Sequence, residues 1–277
     1  NSLFLDIAID TFDVFIKNLN PDVVIFDRFM VEEQFGWRVL QQCPNAVRIL
    51  DTEDLHCLRN ARQLAYKQNK KFDINDLFSD HAKREVASIL RCDLSLIISE
   101  FEMDLLLTTF KVPAHILFYL PFVTTLSTPN FLKNKNFSQR KDFVCIGNFL
   151  HEPNWATVQI IKEKIWPELR KKLPEASMQI YGAYPSQKVL QLHKPADRFY
   201  VNGRAENALQ VIEDAKILLA PIPFGAGIKG KLYESMLLGT PSVTTTLGAE
   251  AMHENLDWNG FITDDYRVSG GKQLNAF

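Results

Sequence analysis

The stretch that decides the fold is residues 220–250, which read APIPFGAGIKGKLYESMLLGTPSVTTTLGAE. The short apolar run 217–220 leads into it and predicts a buried strand of a parallel sheet. After two prolines and a glycine-rich turn, the pattern predicts a helix from about residue 231 to 238, which ends at Gly239. Residues 242–246 predict the next strand. This is a βαβ unit with its glycines at the carboxyl end of a strand, where open α/β sheets bind ligands.

Two lysines, Lys229 and Lys231, flank the amino end of the predicted helix. That end already carries partial positive charge, so a cation there costs about 0.3–1 kcal/mol unless an anion accompanies it. Free backbone amides at a helix start also favour phosphate. The sequence therefore favours a phosphate site, and the alternative is a pair of solvated lysines on a loop.

Glu234 follows Lys231 by three residues and shares its helix face. A carboxylate accepts hydrogen bonds only, which suits the hydroxyl groups of a ribose. An i,i+3 ion pair with Lys231 is the alternative, and the two interpretations do not exclude each other.

Two common nucleotide-binding motifs do not fit the glycine loop. It lacks the GxxxxGK-Ser/Thr pattern of a P-loop. Residues 225–230 match GxGxxG in letters, but they come late in the chain. The following strand also ends in threonines instead of the acidic residue that a nicotinamide site needs.

Two segments carry a resemblance to a known family. Residues 225–252, GAGIKGKLYESMLLGTPSVTTTLGAEAM, resemble the donor-binding segment of GT-B glycosyltransferases, in particular glycosyltransferase family 4. Residues 143–148 and 151–154 resemble the opening strand and loop of the same domain. The resemblance is good across 139–263 and weaker across 21–62. It implies an α/β fold with two Rossmann-like domains and a nucleotide-sugar between them.

The resemblance and the charge pattern together give the candidate site residues. The catalytic candidates are His56, Lys231 and Glu234. The donor-binding candidates are Gly147, Asn148, Arg204, Gly225, Ala226, Gly227, Ile228, Lys229, Lys231 and Glu234. Arg204 is a candidate for the nucleotide base because the family uses that turn, and a surface arginine is its alternative.

The chain departs from the family pattern at two points. The family carries two glutamates with seven residues between them, and Ala226 stands where the first would be. Contacts of that missing carboxylate must then come from backbone amides or be lost. Asn148 and Phe149 occupy the place of a basic residue often found after the opening strand. The two lysines of the glycine loop are therefore the main basic candidates for a diphosphate.

An acidic segment, residues 51–59, follows the predicted strand 47–50 and contains His56. It resembles the family's acidic, histidine-bearing loop that faces the donor. The alternative is a capped helix start, with Thr52 or Asp54 as the cap and Arg59 as a surface charge. A metal site from carboxylates and His56 is disfavoured because no second histidine lies nearby and GT-B enzymes generally need no metal.

The domain organisation follows from a polar linker at 124–141. We predict an amino-terminal Rossmann-like, acceptor-side domain at 1–138 and a carboxyl-terminal donor-binding domain at 139–277. The chain opens on a helix, predicted at 3–19, that resembles a later unit of a GT-B domain. Because of this opening, the amino-terminal domain is expected to be incomplete. At the other end, residues 270–277 do not show the pattern of the family's carboxyl-terminal helix.

Composition limits the partners. The net charge is −2, which gives no basic footprint for nucleic acid. No apolar run approaches the roughly 18 residues of a membrane span. The four cysteines show no metal or disulfide spacing, which is typical of a reducing compartment. A cytoplasmic location, alone or peripheral to a membrane, is expected.

The sequence thus predicts a glycosyltransferase that uses a UDP- or GDP-sugar as co-substrate, with no cofactor and no metal. Retention of configuration is implied by the resemblance. The acceptor class stays open between glycan, lipid, protein and small molecule. The alternatives are a non-catalytic nucleotide- or sugar-binding module and a nucleotide-sugar epimerase on the same fold.

Overall fold

The computed structural model describes residues 9–124, 135–254 and 256–266. The chain divides into two compact units, residues 1–123 and 124–277. Most of the predicted linker lies outside the described residues, so the predicted boundary at residue 138 stays a prediction. The end of the chain, for which no helix was predicted, also lies outside them.

The first unit alternates helices with parallel strands. Its strands are β1 (Val23–Asp27), β2 (Val47–Asp51), β3 (Leu94–Ile97) and β4 (Leu117–Tyr119). Its helices are α1 (Ile9–Leu19), α2 (Phe29–Gln42), α3 (His56–Lys67), α4 (Asp80–Arg91) and α5 (Glu100–Thr108), with 3₁₀ turns at Ile74–Leu77 and Ala114–Ile116.

The second unit repeats this alternation over a larger sheet. Its strands are β5 (Lys141–Ile146), β6 (Met178–Tyr181), β7 (Phe199–Gly203), β8 (Ala215–Ala220), β9 (Ser242–Thr244) and β10 (Gly260–Ile262). Its helices are α6 (Glu152–Ile160), α7 (Trp166–Lys172), α8 (Gln187–Leu190), α9 (Ala208–Asp214) and α10 (Gly230–Leu237). A π-helical turn, Ile161–Ile165, joins α6 to α7, and 3₁₀ turns lie at Phe137–Gln139 and Pro195–Asp197.

The two sheets differ in strand order. The sheet of the first unit runs β1-β2-β3-β4, so each strand lies beside the next one in the chain. The sheet of the second unit runs β10-β9-β8-β5-β6-β7. Read from the other edge, this is the 3-2-1-4-5-6 strand order of the doubly wound dinucleotide-binding fold. In that fold the chain adds strands towards one edge of the sheet and then, starting beside the first strand, towards the other edge. Here that reversal falls between β5 and β8.

The core of the second unit explains why β5 and β8 read as continuous apolar runs. Side chains of β5 alternate, with Phe143 and Cys145 on one face and Val144 and Ile146 on the other. All four are buried, because helices cover both faces of the sheet. The predicted parallel α/β class is confirmed by both sheets, whose pairings are all parallel.

The secondary structure follows the sequence predictions closely near the glycine loop and less closely beyond it. The predicted strand 242–246 ends at Thr244, because Thr245 and Thr246 turn away to make loop contacts. The sequence missed β10 and the one-turn helix α8, both of which are too short to show a periodic pattern. The predicted helix 3–19 is described only from Ile9 onwards.

Candidate functional site

The candidate donor site lies at the carboxyl ends of β5 and β8. These strands are hydrogen-bonded neighbours at the point where the strand order reverses. The loops that follow such a pair diverge to opposite faces of the sheet and leave a crevice between them. Gly147 and Asn148 follow β5, and the glycine loop 221–229 follows β8. The structure therefore brings together two segments that are more than 70 residues apart in sequence.

The glycine loop is held to the next strand by threonine hydroxyls. Thr244 Oγ1 donates to Ala220 O at 2.8 Å, and Thr245 Oγ1 donates to Ile222 O at 2.6 Å. Gly227 adopts φ 62°, in the left-handed region that an L side chain rarely enters. These contacts hold the backbone of the loop in one conformation, so the directions of its N–H groups are fixed as well.

The amino end of α10 has donors without acceptors. Its N-cap residue, Lys229, makes no side-chain cap hydrogen bond. The amides of Ala226, Ile228, Gly230 and Lys231 donate to no group in the described parts of the chain. Unsatisfied amides at a helix start carry partial positive charge and point outward along the helix axis. Such donors favour an anion with several oxygens, and the phosphate site stays a prediction.

Lys231 is partly buried beside this helix end, and its ammonium has a neutral partner. Its Nζ donates to Oδ1 of Asn154 at 2.7 Å. Burial lowers the pKa of Lys231 below its ordinary value, although Cys145 and Glu234 act in the opposite direction. A lysine held this way favours an approaching negative charge, because no carboxylate pairs with it within 4.0 Å among the described residues.

Asn154 is a site residue that the sequence prediction missed. Its Nδ2 donates to the carbonyl oxygen of Asn148 at 2.7 Å. Its amide also packs against Gly147, where an added Cβ would lie only 2.6 Å from Asn154 Cγ. The quoted family segment contained Asn154, but nothing in a linear sequence shows that its side chain reaches Lys231.

Glu234 lies half-buried on α10 with an unpartnered carboxylate. It makes no hydrogen bond or ion pair with any described residue. The i,i+3 ion pair with Lys231 that the sequence allowed does not form. Burial raises the pKa of Glu234, and the nearby Lys231 charge partly opposes this. A half-buried acceptor without a donor is a place where a ligand hydroxyl would bind favourably.

Lys229 does not lie on the surface as a solvated loop lysine would. It is only 9% exposed, and its Nζ donates to Gly227 O at 2.7 Å within the same loop. The interpretation of Lys229 as a solvated charge is therefore wrong. Its ammonium stabilises the loop from inside.

Arg204 follows β7 and is exposed. Its guanidinium makes no hydrogen bond or ion pair within the part of the chain that the structure describes. Both interpretations of Arg204, as a base contact and as a surface arginine, stay open.

In the first unit, His56 begins α3 in a mostly buried position. Its Nε2 lies 3.5 Å from Asp54 Oδ1, and the ring of Phe29 packs edge-on at 5.5 Å between centroids. Burial is the largest cause that lowers the pKa of His56, to about 4, with the Arg59 charge second. The imidazole is therefore neutral at physiological pH and can accept a hydrogen bond through its unprotonated nitrogen.

The start of α3 is capped from other helices and not by its own loop. Glu85 on α4 accepts from the amides of His56 and Cys57 at 2.9 and 2.8 Å. Glu102 on α5 accepts from the amide of Leu55 at 2.9 Å. The predicted caps are wrong in both forms. Thr52 donates to the carbonyl oxygen of Leu96, and the Asp54 carboxylate pairs with Arg59.

The charges of the acidic segment are paired locally. Arg59 Nη1 contacts both carboxylate oxygens of Asp54, at 2.7 and 2.6 Å. Arg28 donates to both oxygens of Asp27 at 3.0 Å and lies 3.6 Å from Glu53. Arg59 is therefore not an isolated surface charge. Three of the carboxylates here, those of Asp27, Glu53 and Asp54, thus lie beside an arginine.

Metal ions and membranes are two further kinds of partner on which the described residues bear. Within them, no group of three His, Cys, Asp or Glu side chains is placed to bind a metal ion. None of the described helices has both the length and the apolar character needed to cross a membrane.

The fold defines the second unit as a doubly wound α/β domain with a crevice at its switch point. Residues 140–269 match the family model described as Glycosyl transferases group 1. This match lies within the second unit and covers the segments that carry the resemblance in the sequence. Comparison with curated protein sequences found no significant match.

Solved structures extend the likeness across both units. TarM aligns with a TM-score of 0.65 at 15% identity, over 95% of this chain and 49% of TarM. The pneumococcal O-GlcNAc transferase GtfA, solved with UDP and GlcNAc, aligns with a TM-score of 0.62 at 18% identity, over 96% of this chain and 50% of GtfA. HepE from Anabaena, solved with UDP-glucose, aligns with a TM-score of 0.59 at 12% identity, over 95% of this chain and 69% of HepE.

These identities are low, so the likeness concerns the fold. It confirms the predicted GT-B class with its two Rossmann-like domains. The chain spans about half the length of TarM and GtfA.

Proposed function

We propose that this chain binds a nucleoside diphosphate sugar through its second unit and serves in transfer of the sugar to an acceptor. It would act as a glycosyltransferase that retains anomeric configuration and needs no metal. The family model over residues 140–269 supports the class of reaction. UDP is favoured over GDP because GtfA and HepE, two structures of similar fold, were solved with UDP.

One observation carries the proposal. In the glycine loop and the first turn of α10, four amides have no acceptor among the described residues, and Lys231 donates to a neutral partner. The Glu234 carboxylate on the same helix has no described partner. Each of these groups lacks what a nucleoside diphosphate supplies. Phosphate oxygens accept from the amides and from Lys231, and ribose hydroxyls donate to Glu234.

The chemical role of this arrangement is electrostatic. When the bond between the sugar and the diphosphate breaks, negative charge grows on the leaving diphosphate. Lys231, the loop amides and the helix end are already oriented towards that charge, so they need little reorganisation during the reaction. Lys229, although buried within the loop, adds to the same positive potential.

Ala226 bears on how the sugar is held. A methyl side chain cannot accept hydrogen bonds from sugar hydroxyls. Neither its backbone amide nor that of Ile228 has an acceptor among the residues that the structure describes. We therefore assign the contacts near Ala226 to backbone N–H groups, which donate hydrogen bonds to oxygen atoms of the nucleotide-sugar.

His56 is the catalytic candidate of the first unit. Because its pKa is lowered to about 4, it is neutral at the pH of most cells. A neutral imidazole accepts hydrogen bonds from hydroxyl groups, which suits a role towards a substrate hydroxyl.

The first experiment measures binding. Purified chain is titrated with UDP, GDP and uridine while thermal unfolding is followed. A nucleoside diphosphate at 100 times its dissociation constant should stabilise the protein by about 2.7 kcal/mol, with UDP stronger than GDP. If no nucleoside diphosphate shifts unfolding at millimolar concentration, the donor site is wrong.

The second experiment identifies the reaction. Chain that binds UDP is incubated with UDP-sugars, with and without candidate acceptors, and the products are separated by mass and by configuration. A glycosylated acceptor supports the proposal. Epimerised sugar released with UDP would indicate the epimerase. Binding without any turnover, also in a version of the chain that is extended at its amino terminus, would indicate a binding module.

A further inference from the structure

Asn154 links the two loops of the donor site through opposite ends of one amide. Its Oδ1 accepts from Lys231 Nζ at 2.7 Å, and its Nδ2 donates to the carbonyl oxygen of Asn148 at 2.7 Å. Lys231 belongs to α10, whereas Asn148 belongs to the turn after β5. The side chain therefore spans the crevice at the reversal of strand order.

The orientation of this amide is fixed by its partners. An ammonium can only donate and a carbonyl can only accept, so the oxygen must face Lys231 and the nitrogen must face Asn148. Gly147 leaves the space for it, since an added Cβ there would lie 2.6 Å from Asn154 Cγ and 2.7 Å from Oδ1. The amide can lie in this position because residue 147 has no side chain.

The neutrality of Asn154 matters for what Lys231 can bind. A carboxylate at the same place would pair with the ammonium and cancel its charge. An amide oxygen holds the ammonium in position and leaves the charge available for an incoming anion. Burial that disfavours the charged lysine then makes an anionic ligand more favourable still.

We propose that Asn154 is a positioning residue that aims Lys231 at the diphosphate of the donor. This inference rests on the proposed function, because it assigns Lys231 to the diphosphate. Asn154 acts through Lys231 and contributes little to binding when that lysine is absent. Its role is to keep the ammonium at the helix end and to keep it unneutralised.

A double-mutant cycle tests this coupling. UDP affinity is measured by calorimetry for the wild type, Asn154→Ala, Lys231→Ala and the double variant. We expect Asn154→Ala to weaken UDP binding about three- to tenfold when Lys231 is present. In the Lys231→Ala background the same change should weaken it less than about twofold, because the effects of coupled residues do not add.

The variant Asn154→Asp tests the effect of a negative charge at this position without a change in side-chain shape. The side chain keeps its volume and can still contact Lys231, but it supplies the neutralising charge. UDP affinity should fall at least about tenfold, which is as much as the alanine variant or more. The affinity for uridine, which has no phosphate, should change less than about twofold in the same variant. Thermal unfolding without ligand confirms that each variant is folded.

The outcomes distinguish this inference from the proposed function. If Asn154→Ala weakens UDP binding equally in both backgrounds, Asn154 does not act through Lys231 and the inference is wrong. If Asn154→Asp binds UDP as well as wild type does, neutrality is not needed and the inference is also wrong. If UDP binds but Lys231→Ala does not weaken it, the diphosphate lies elsewhere and the proposed donor site fails as well.

Discussion

Both units have charged groups at the carboxyl-terminal edge of their sheet, but these groups are paired in the first unit and lack such partners among the described residues of the second. In the first unit, helix α3 begins with its amides satisfied by Glu85 and Glu102, and Asp54 is paired with Arg59. In the second unit, the first two amides of helix α10 have no acceptor in the described part of the chain, and Lys231 donates to a neutral side-chain amide. The first arrangement stabilises the fold, whereas the second leaves interactions for a ligand to complete.

Because of this difference, substitutions in the first unit are expected to change stability, and substitutions in the second unit are expected to change ligand binding. Removing a group from a satisfied network leaves buried partners unpaired and costs stability. Removing a group from an unsatisfied site costs binding and leaves the free protein nearly as stable as before. Functional sites often carry such local imperfections.

The largest effect is expected in the first unit. Glu85→Ala leaves the amides of His56 and Cys57 without acceptors in a buried position. Since each buried unpaired donor costs about 1–3 kcal/mol, the free energy of unfolding should fall by about 3 kcal/mol. Urea unfolding measures this loss, and hydrogen exchange at the two amides should speed up. Lys83→Ala on the same helix, an exposed lysine beside Asp80, is the control and should change stability by less than about 0.5 kcal/mol.

Lys231→Ala is expected to show the opposite pattern. A charge-assisted hydrogen bond contributes about 1.5–3 kcal/mol, so UDP affinity should fall by tenfold or more. Stability without ligand should stay the same or rise, because a partly buried lysine with a lowered pKa is removed. The control is Lys171→Ala, an exposed lysine paired with Glu168 in the same unit, which should alter neither quantity. A large loss of stability from Lys231→Ala would contradict the comparison.

The next prediction concerns pH and His56. Its pKa is lowered from 6.5 to about 4 in the folded chain, so the unfolded chain takes up the proton first as pH falls. The folded state therefore loses stability from about pH 6.5 down to about pH 4. After allowance for partial exposure, the loss from this group is about 2 kcal/mol.

Comparison with His56→Gln isolates that contribution. The variant lacks the titrating imidazole, so its unfolding free energy should depend less on pH within this window. Chemical unfolding at several pH values gives the difference between the two proteins. A difference that stays constant from pH 7 to 4 would show that burial does not lower the pKa of His56.

The smallest effect is expected for Glu234→Gln. The amide keeps one acceptor oxygen but accepts less strongly than a carboxylate, so UDP affinity should fall by about three- to tenfold. Stability should stay within about 0.5 kcal/mol, because no described residue depends on this carboxylate. Calorimetry and thermal unfolding measure the two quantities. Normal UDP binding with reduced stability would mean that Glu234 serves the fold.

The sequence was most informative where the physics is local. The apolar run before Pro221, the glycines of the loop and the stop at Gly239 predicted β8, the loop and α10 almost to the residue. Short strands such as β10 were missed because three residues show no period. The caps of α3 were wrong because a nearby Thr52 or Asp54 is the obvious choice from a linear sequence, whereas Glu85 and Glu102 come from separate helices.

What the sequence determined by itself was the α/β class, the glycine loop at a strand end and the presence of Lys231 and Glu234 beside it. These follow from periodicity, turn residues and the placement of charge along a helix. The tertiary structure decided which of these groups have partners. Strand order depends on packing across the whole sheet, and it alone places β5 beside β8 and Asn154 beside Lys231, 77 positions apart in the chain. A lysine becomes a binding group only once its surroundings leave its charge unpaired, and those surroundings come from distant parts of the chain.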